Sequence, residues 1–125
     1  GRQPKLSAIY EDFDGYNPGL EITNEGNEDL TAVKIELLDP IPPYVPAITA
    51  ISEEQHGKPS GSPGRTADIG TLMVSQTKRI SVHREDATEQ YGEALFYAYC
   101  AVGDKSQWRI SLKADIPRGA SLDAQ

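Results

Sequence analysis

Chemistry in this chain has to start from a small set of reactive side chains: two histidines, His56 and His83, and one cysteine, Cys100. The histidines stand 27 residues apart with no paired cysteine, so they do not form the four-ligand pattern of a zinc site. His56 falls in EEQHGKPSGSPGR (53–65), next to Glu53 and Glu54. An imidazole in so polar a segment is expected to be solvated, and Glu53, Glu54 and His56 are the expected partner contact there. His83 falls in RISVHRE (79–85). On regular alternation it shares a face with Ser81 and opposes Ile80 and Val82, which reads as a surface histidine. No serine occupies a GxSxG elbow; SGSPG (60–64) is only flexible composition. GxGxxG and Walker loops are both missing from the chain. The expectation is a non-enzyme with no catalytic residue and no cofactor.

Oxygen ligands are better represented. Glu11, Asp12, Asp14 and Asn17 in EDFDGYN are closely spaced in a turn-forming stretch, as a calcium site requires. Gly15 comes too early for an EF-hand loop, and no glutamate follows at the distance that closes a bidentate site. The four remain the candidate metal ligands, against the plainer reading of a solvated acidic turn.

The aromatic candidates are Trp108, Tyr97 and Tyr99. In LFYAYCAV, alternation puts Phe96, Ala98 and Cys100 on one face and Leu95, Tyr97, Tyr99 and Ala101 on the other. Both faces are mostly apolar, so either could be core. Cys100 is expected to pack as a small buried hydrophobe rather than as a reactive thiol. Trp108 reads first as a core anchor or a lid on the sandwich edge. Exposed in a row with Tyr97 and Tyr99, it would instead give a platform for a sugar ring.

The elements that must position these groups are strands. KLSAIYED (5–12) alternates Leu6, Ala8 and Tyr10 against polar neighbours, and DGYNPG (14–19) is a turn cluster. Leu20 and Ile22 form a short strand, NEGNED (24–29) reverses the chain with its acids in water, and Gly26 is its natural positive-φ position. The cleanest alternation follows, with Val33, Ile35 and Leu37 opposite Lys34 and Glu36. Prolines 42, 43 and 46 hold IPPYVPAITAI (41–51) extended or on an edge, where residues 44–51 could pair between copies. Residues 53–66 are expected to be a mobile loop. ADIGTLMV (67–74), RISVHRE and EALFYAYCAVG (93–103) supply further strands, and DATEQYG (86–92) is a loop or one helical turn. After the GDKSQ hairpin, WRISLKADI places Trp108, Ile110, Leu112 and Ala114 on one face. Seven or eight short strands between turn signals predict an all-β sandwich of two packed sheets.

Composition agrees. The 125 residues suffice for one domain with a real core. Nine prolines and eleven glycines punctuate the chain too often for long helices. Net charge is −7, with nine acids against Lys34 alone between Glu11 and Asp39. Such a surface repels phosphate backbones and anionic headgroups, so neither nucleic acid nor direct membrane contact is expected. A single cysteine excludes an intrachain disulfide. Opening on Gly1 suggests a piece of something longer, with residues 1–4 a flexible terminus or cleavage remnant, 5–116 one domain and 117–125 a tail.

Two likenesses follow from these segments. YAYCAVG (97–103) resembles the end of the immunoglobulin variable-domain strand that carries the second cysteine. Here the partner cysteine is missing and Trp108 follows Cys100 instead of preceding it, so an antibody-type receptor is not implied. LEITNEGNEDLTAVKIELLDP (20–40), DIGTLMVSQTKRISVHR (68–84) and FYAYCAVGDKSQWRISL (96–112) are together similar to a diffuse group of bacterial immunoglobulin-like domains. The matching residues are Asn24, Gly26, Val33, Gly70, Leu72, Gly103, Trp108 and Arg109, all turn or core positions in that group. MVSQT departs from it, since a glycine-containing turn is more usual before RISV. The resemblance implies an immunoglobulin-like sandwich, often found beside membrane anchors. It leads to the expectation of a non-catalytic accessory or protein-interaction domain of a larger bacterial protein. A carbohydrate- or small-ligand-binding module built on Trp108 and its neighbouring tyrosines is the alternative.

Overall fold

LTAVKIEL becomes strand β3 (Leu30–Leu37), with Val33, Ile35 and Leu37 buried as their alternation requires. It runs through the middle of one of two antiparallel sheets in a computed structural model that describes residues 3–13, 17–38, 47–52, 58–83, 92–103 and 106–116. The other strands are β1 (Leu6–Phe13), β2 (Asn17–Asn24), β4 (Ala47–Ser52), β5 (Lys58–Gly64), β6 (Thr66–Leu72), β7 (Thr77–His83), β8 (Gly92–Val102) and β9 (Ser106–Ile116). One sheet has the order β1-β2-β7-β4-β5, the other β6-β3-β8-β9. The chain changes sheet at nearly every step from β2 to β8, which buries both inner faces against each other.

The protein is thus an all-β sandwich. β5 and β6 are one extended run that passes from one sheet to the other at Arg65: Gly64 pairs with Ile48, and Thr66 pairs with Glu36. Counting that run once gives eight lengths of strand among the described residues.

Leu20, Ile22, Ile48, Ile80 and Val82 line the core from the first sheet. Val33, Ile35, Phe96, Ala98, Cys100, Ile110 and Leu112 line it from the second. Each fully buried aliphatic side chain contributes on the order of 1.5–3 kcal/mol. Leu6, Ala8 and Tyr10 of β1 pack against this core at the side where β1 approaches β9.

Several expectations need correction. Within the expected 53–66 loop, residues 58–64 are strand β5, paired with β4 at the edge of the sheet. An edge tolerates Pro59 and Pro63 because an unpaired side needs no N–H donor. Residues 53–57, with Glu53, Glu54 and His56, lie outside the described residues, as do 39–46, 84–91 and 117–125. β4 is not an edge: β7 and β5 flank it, so residues 47–51 have no open side for pairing between copies. The 14–19 turn shrinks, since Asn17 and Pro18 already pair with Phe13 and Asp12 in the β1–β2 ladder. Pro4, placed in the flexible terminus, is buried.

Candidate functional site

Among the described residues, polar or displayed side chains gather on the outer face of the β6-β3-β8-β9 sheet and at the end of the sandwich where β2 turns into β3.

On the outer face, one rung crosses all four strands. Asp68 stands opposite Lys34, Lys34 opposite Tyr99, and Tyr99 opposite Arg109. Tyr97 and Tyr99 alternate outward on β8 because a tyrosine needs a partner for its hydroxyl, whereas Phe96, Ala98 and Cys100 do not. The two rings meet edge to face, with centroids 6.2 Å apart and planes at 76°. Arg109 lies 4.4 Å from the Tyr97 centroid and the Lys34 ammonium 5.5 Å from that of Tyr99. Such contacts stabilise by about 0.5–1 kcal/mol at exposed sites. The Tyr99 hydroxyl donates to Glu36 Oε1 at 2.7 Å. Giving that proton to a carboxylate, with some desolvation and the nearby negative charge, raises the Tyr99 pKa above its usual value.

Beside this rung β3 bulges. Its register slips by one residue against β8 between Thr31 and Lys34, shifts at Val33 against β6 and returns by Lys34, and Ala32 takes φ 52°. Gly70, across from Val33, takes φ 72°. The distortion coincides with a hollow of about 650 Å³ whose lining includes Ala32, Lys34, Asp68, Gly70, Tyr99 and Arg109. Trp108 also borders it, but its alternation is with Ile110, Leu112 and Ala114, and it packs half-buried against the core. Trp108 thus takes the place read first for it, against the core, and the alternative row of Trp108, Tyr97 and Tyr99 on one face is not formed. The tyrosines project outward while Trp108 belongs to the inner face. Two crossed rings, each with a cation over it, make a poor stacking surface for a sugar.

At the other region Asn24 is the centre. It is buried, and its side chain is fully engaged: Nδ2 donates to the Glu28 carbonyl at 2.9 Å and the Leu72 carbonyl at 3.0 Å, and Oδ1 accepts from the Gly26 N–H at 2.9 Å. The last bond is the local side-chain turn that asparagine favours. Gly26 does not take the expected positive φ; among the described residues those glycines are Gly70 and Gly103. A Cβ at Gly26 would meet Asn24 Oδ1 and the Lys5 backbone nitrogen at 3.4 Å, close to ordinary contact, so what the position supplies is its N–H to Asn24.

The neighbouring turn, 73–76, is held as firmly. Met73 N–H donates to Gln76 Oε1 at 2.8 Å, Val74 N–H to Asp29 Oδ1 at 2.9 Å, Ser75 N–H to the Asn24 carbonyl at 3.0 Å, and Gln76 N–H to the Met73 carbonyl at 2.9 Å. In the segment MVSQT, which lacks a glycine, Ser75 supplies the positive φ, 67°. Met73 and Val74 are displayed on this turn, 52% and 43% exposed.

The chain matches no protein-family model and no curated protein sequence.

Of the remaining candidates, Glu11 is exposed on β1 and Asp14 lies outside the described residues. Asp12 and Asn17 belong to the paired β1–β2 hairpin rather than to an open turn. Among the described residues no group of three or more His, Cys, Asp or Glu could hold a metal ion. His83 pairs with Ala47 in the ladder. Cys100 is buried, and desolvation raises its thiol pKa. Sequence reasoning missed Asn24 as a hub and Met73–Val74 as a display. The signals were present: asparagine two residues before glycine, and three consecutive apolar residues, Leu72 to Val74, that cannot all face one core.

Proposed function

We propose that the chain is a non-catalytic protein-interaction domain, an accessory module of a larger bacterial protein with an immunoglobulin-like frame. Strand order supports the frame. β1-β2-β7-β4 and β3-β8-β9 have the neighbours of the A-B-E-D and C-F-G sheets, in the same chain order, with the β5–β6 run inserted between the fourth and fifth strands.

The interaction reading is carried by Met73 and Val74. Apolar side chains left in water are unfavourable, and on a loose loop they could fold back onto the surface. Here four successive N–H groups are tied, so the pair is held outward. A partner that covers it loses little further loop entropy, and methionine is enriched at such contacts.

The test compares the wild-type chain with Met73→Ser/Val74→Ser as bait in lysate of the source cells. The hydrogen bonds of this turn use only the backbone of residues 73 and 74, so the melting temperature should stay within a degree or so. A protein retained by the wild type should be lost by on the order of tenfold or more, as for removal of a binding hot spot. Equal retention by both baits would rule the reading out.

A further inference from the structure

We infer, resting on that interaction reading, that the partner presents an apolar pocket ringed by lysine or arginine side chains. The apolar pair does not stand alone. The tied network brings the 25–29 turn against it: Asp29 caps Val74, and Asn24 joins Ser75 and Leu72 to Gly26 and Glu28. That turn carries Glu25, Glu28 and Asp29, all exposed, with Lys5 as the nearby cation on the 3–5 segment. A small apolar centre with an acidic rim is the complement of a pocket with a basic rim. The apolar centre supplies the slow dissociation, and the rim raises the encounter rate and excludes acidic competitors.

The same charges act against two other occupants. Anionic headgroups meet the carboxylates and are repelled. A second copy placed tip to tip would oppose Glu25 and Glu28 with their own equivalents, and like charges so placed disfavour the contact.

Photo-crosslinking on the full chain in its own cells tests this, with a benzophenone side chain at position 74 and a control at Ser111 on the outer sheet face. Position 74 should yield one protein adduct that the control does not. Peptide mapping of that adduct should place the link at an apolar site flanked by lysine or arginine. Glu25→Lys/Glu28→Lys should lower the yield on the order of tenfold, and raising salt from about 50 to about 500 mM should lower the wild-type yield similarly. Both substitutions leave the tied network intact, because it uses only backbone atoms of those residues. Link formation that ignores charge reversal and salt, yet is lost in Met73→Ser, would overturn the basic rim while leaving the interaction reading standing. Adducts to lipid, to a second copy, or to nothing at all would overturn both.

Discussion

The turn at 73–76 and the bulge at 31–34 each place a non-glycine residue at positive φ, Ser75 and Ala32, but by different means. In the turn, every N–H from Met73 to Gln76 has an acceptor, and the Ser75 conformation is held by two bonds within the turn and two to Asn24 and Asp29. In the bulge, the conformation is imposed by the flanking strands: β3 carries one extra residue against β8, while its register against β6 shifts at Val33 and returns by Lys34. The first device fixes what the surface displays. The second removes ladder pairing from the middle of a sheet beside a hollow. Similar backbone angles therefore serve an outward projection in one place and a recess in the other.

The sharpest way to break this contrast is Asn24→Ala. It leaves the Gly26 N–H and the Glu28 and Leu72 carbonyls without a side-chain partner, and a loss of about 3 kcal/mol is expected in urea unfolding. A loss under about 1 kcal/mol would mean that the turn does not depend on its hub.

Glycine substitutions probe the two positive angles directly. Ser75→Gly and Ala32→Gly should each stabilise by on the order of 0.5–1 kcal/mol, because relief of the Cβ clash exceeds the entropic loss. Equal gains would show that both devices hold a similar strain. A loss at Ala32 alone would show that its methyl group supports the bulge.

Alkaline pH gives a smaller signal. The folded-state pKa values of Cys100 and Tyr99 are raised, so the folded chain holds these protons more tightly than the unfolded chain. Their stabilising contribution is complete below the ordinary values of 9.0 and 10.0 and is lost as pH rises through the folded ones. Tyr99→Phe should flatten the upper part of that decline in denaturation midpoints measured from pH 8 to 11. An unchanged slope would sever Tyr99 from Glu36. The smallest effect is Arg109→Gln, about 0.5 kcal/mol, from loss of the cation over Tyr97. Thermal melts of this variant and of Tyr97→Leu, combined as a double-mutant cycle, would isolate the contact.

Much of the frame was legible because alternation was clean where one face alone was apolar. β3 and β9 are the examples, with Val33, Ile35 and Leu37 and then Ile110, Leu112 and Ala114 turned inward as read. β8 was not legible in this way, since both of its faces are apolar and the choice fell to the tyrosine hydroxyls. β5 was hidden by its composition: KPSGSPG has no hydrophobic side chain to reveal a face, and it is a strand by backbone pairing alone. Asn24 was read as part of a polar turn, because local sequence does not disclose that Leu72, 48 residues away, supplies one of its acceptors.

Cys100 and Trp108 are the only thiol and the only indole, and they are direct cross-strand partners on β8 and β9. Fluorescence and thiol labelling would therefore watch the same rung of the molecule. Coincident unfolding curves from these two probes would be one measurement made twice, not evidence that the whole sandwich melts together. A label at Glu11 on β1, in the other sheet, would supply the independent witness.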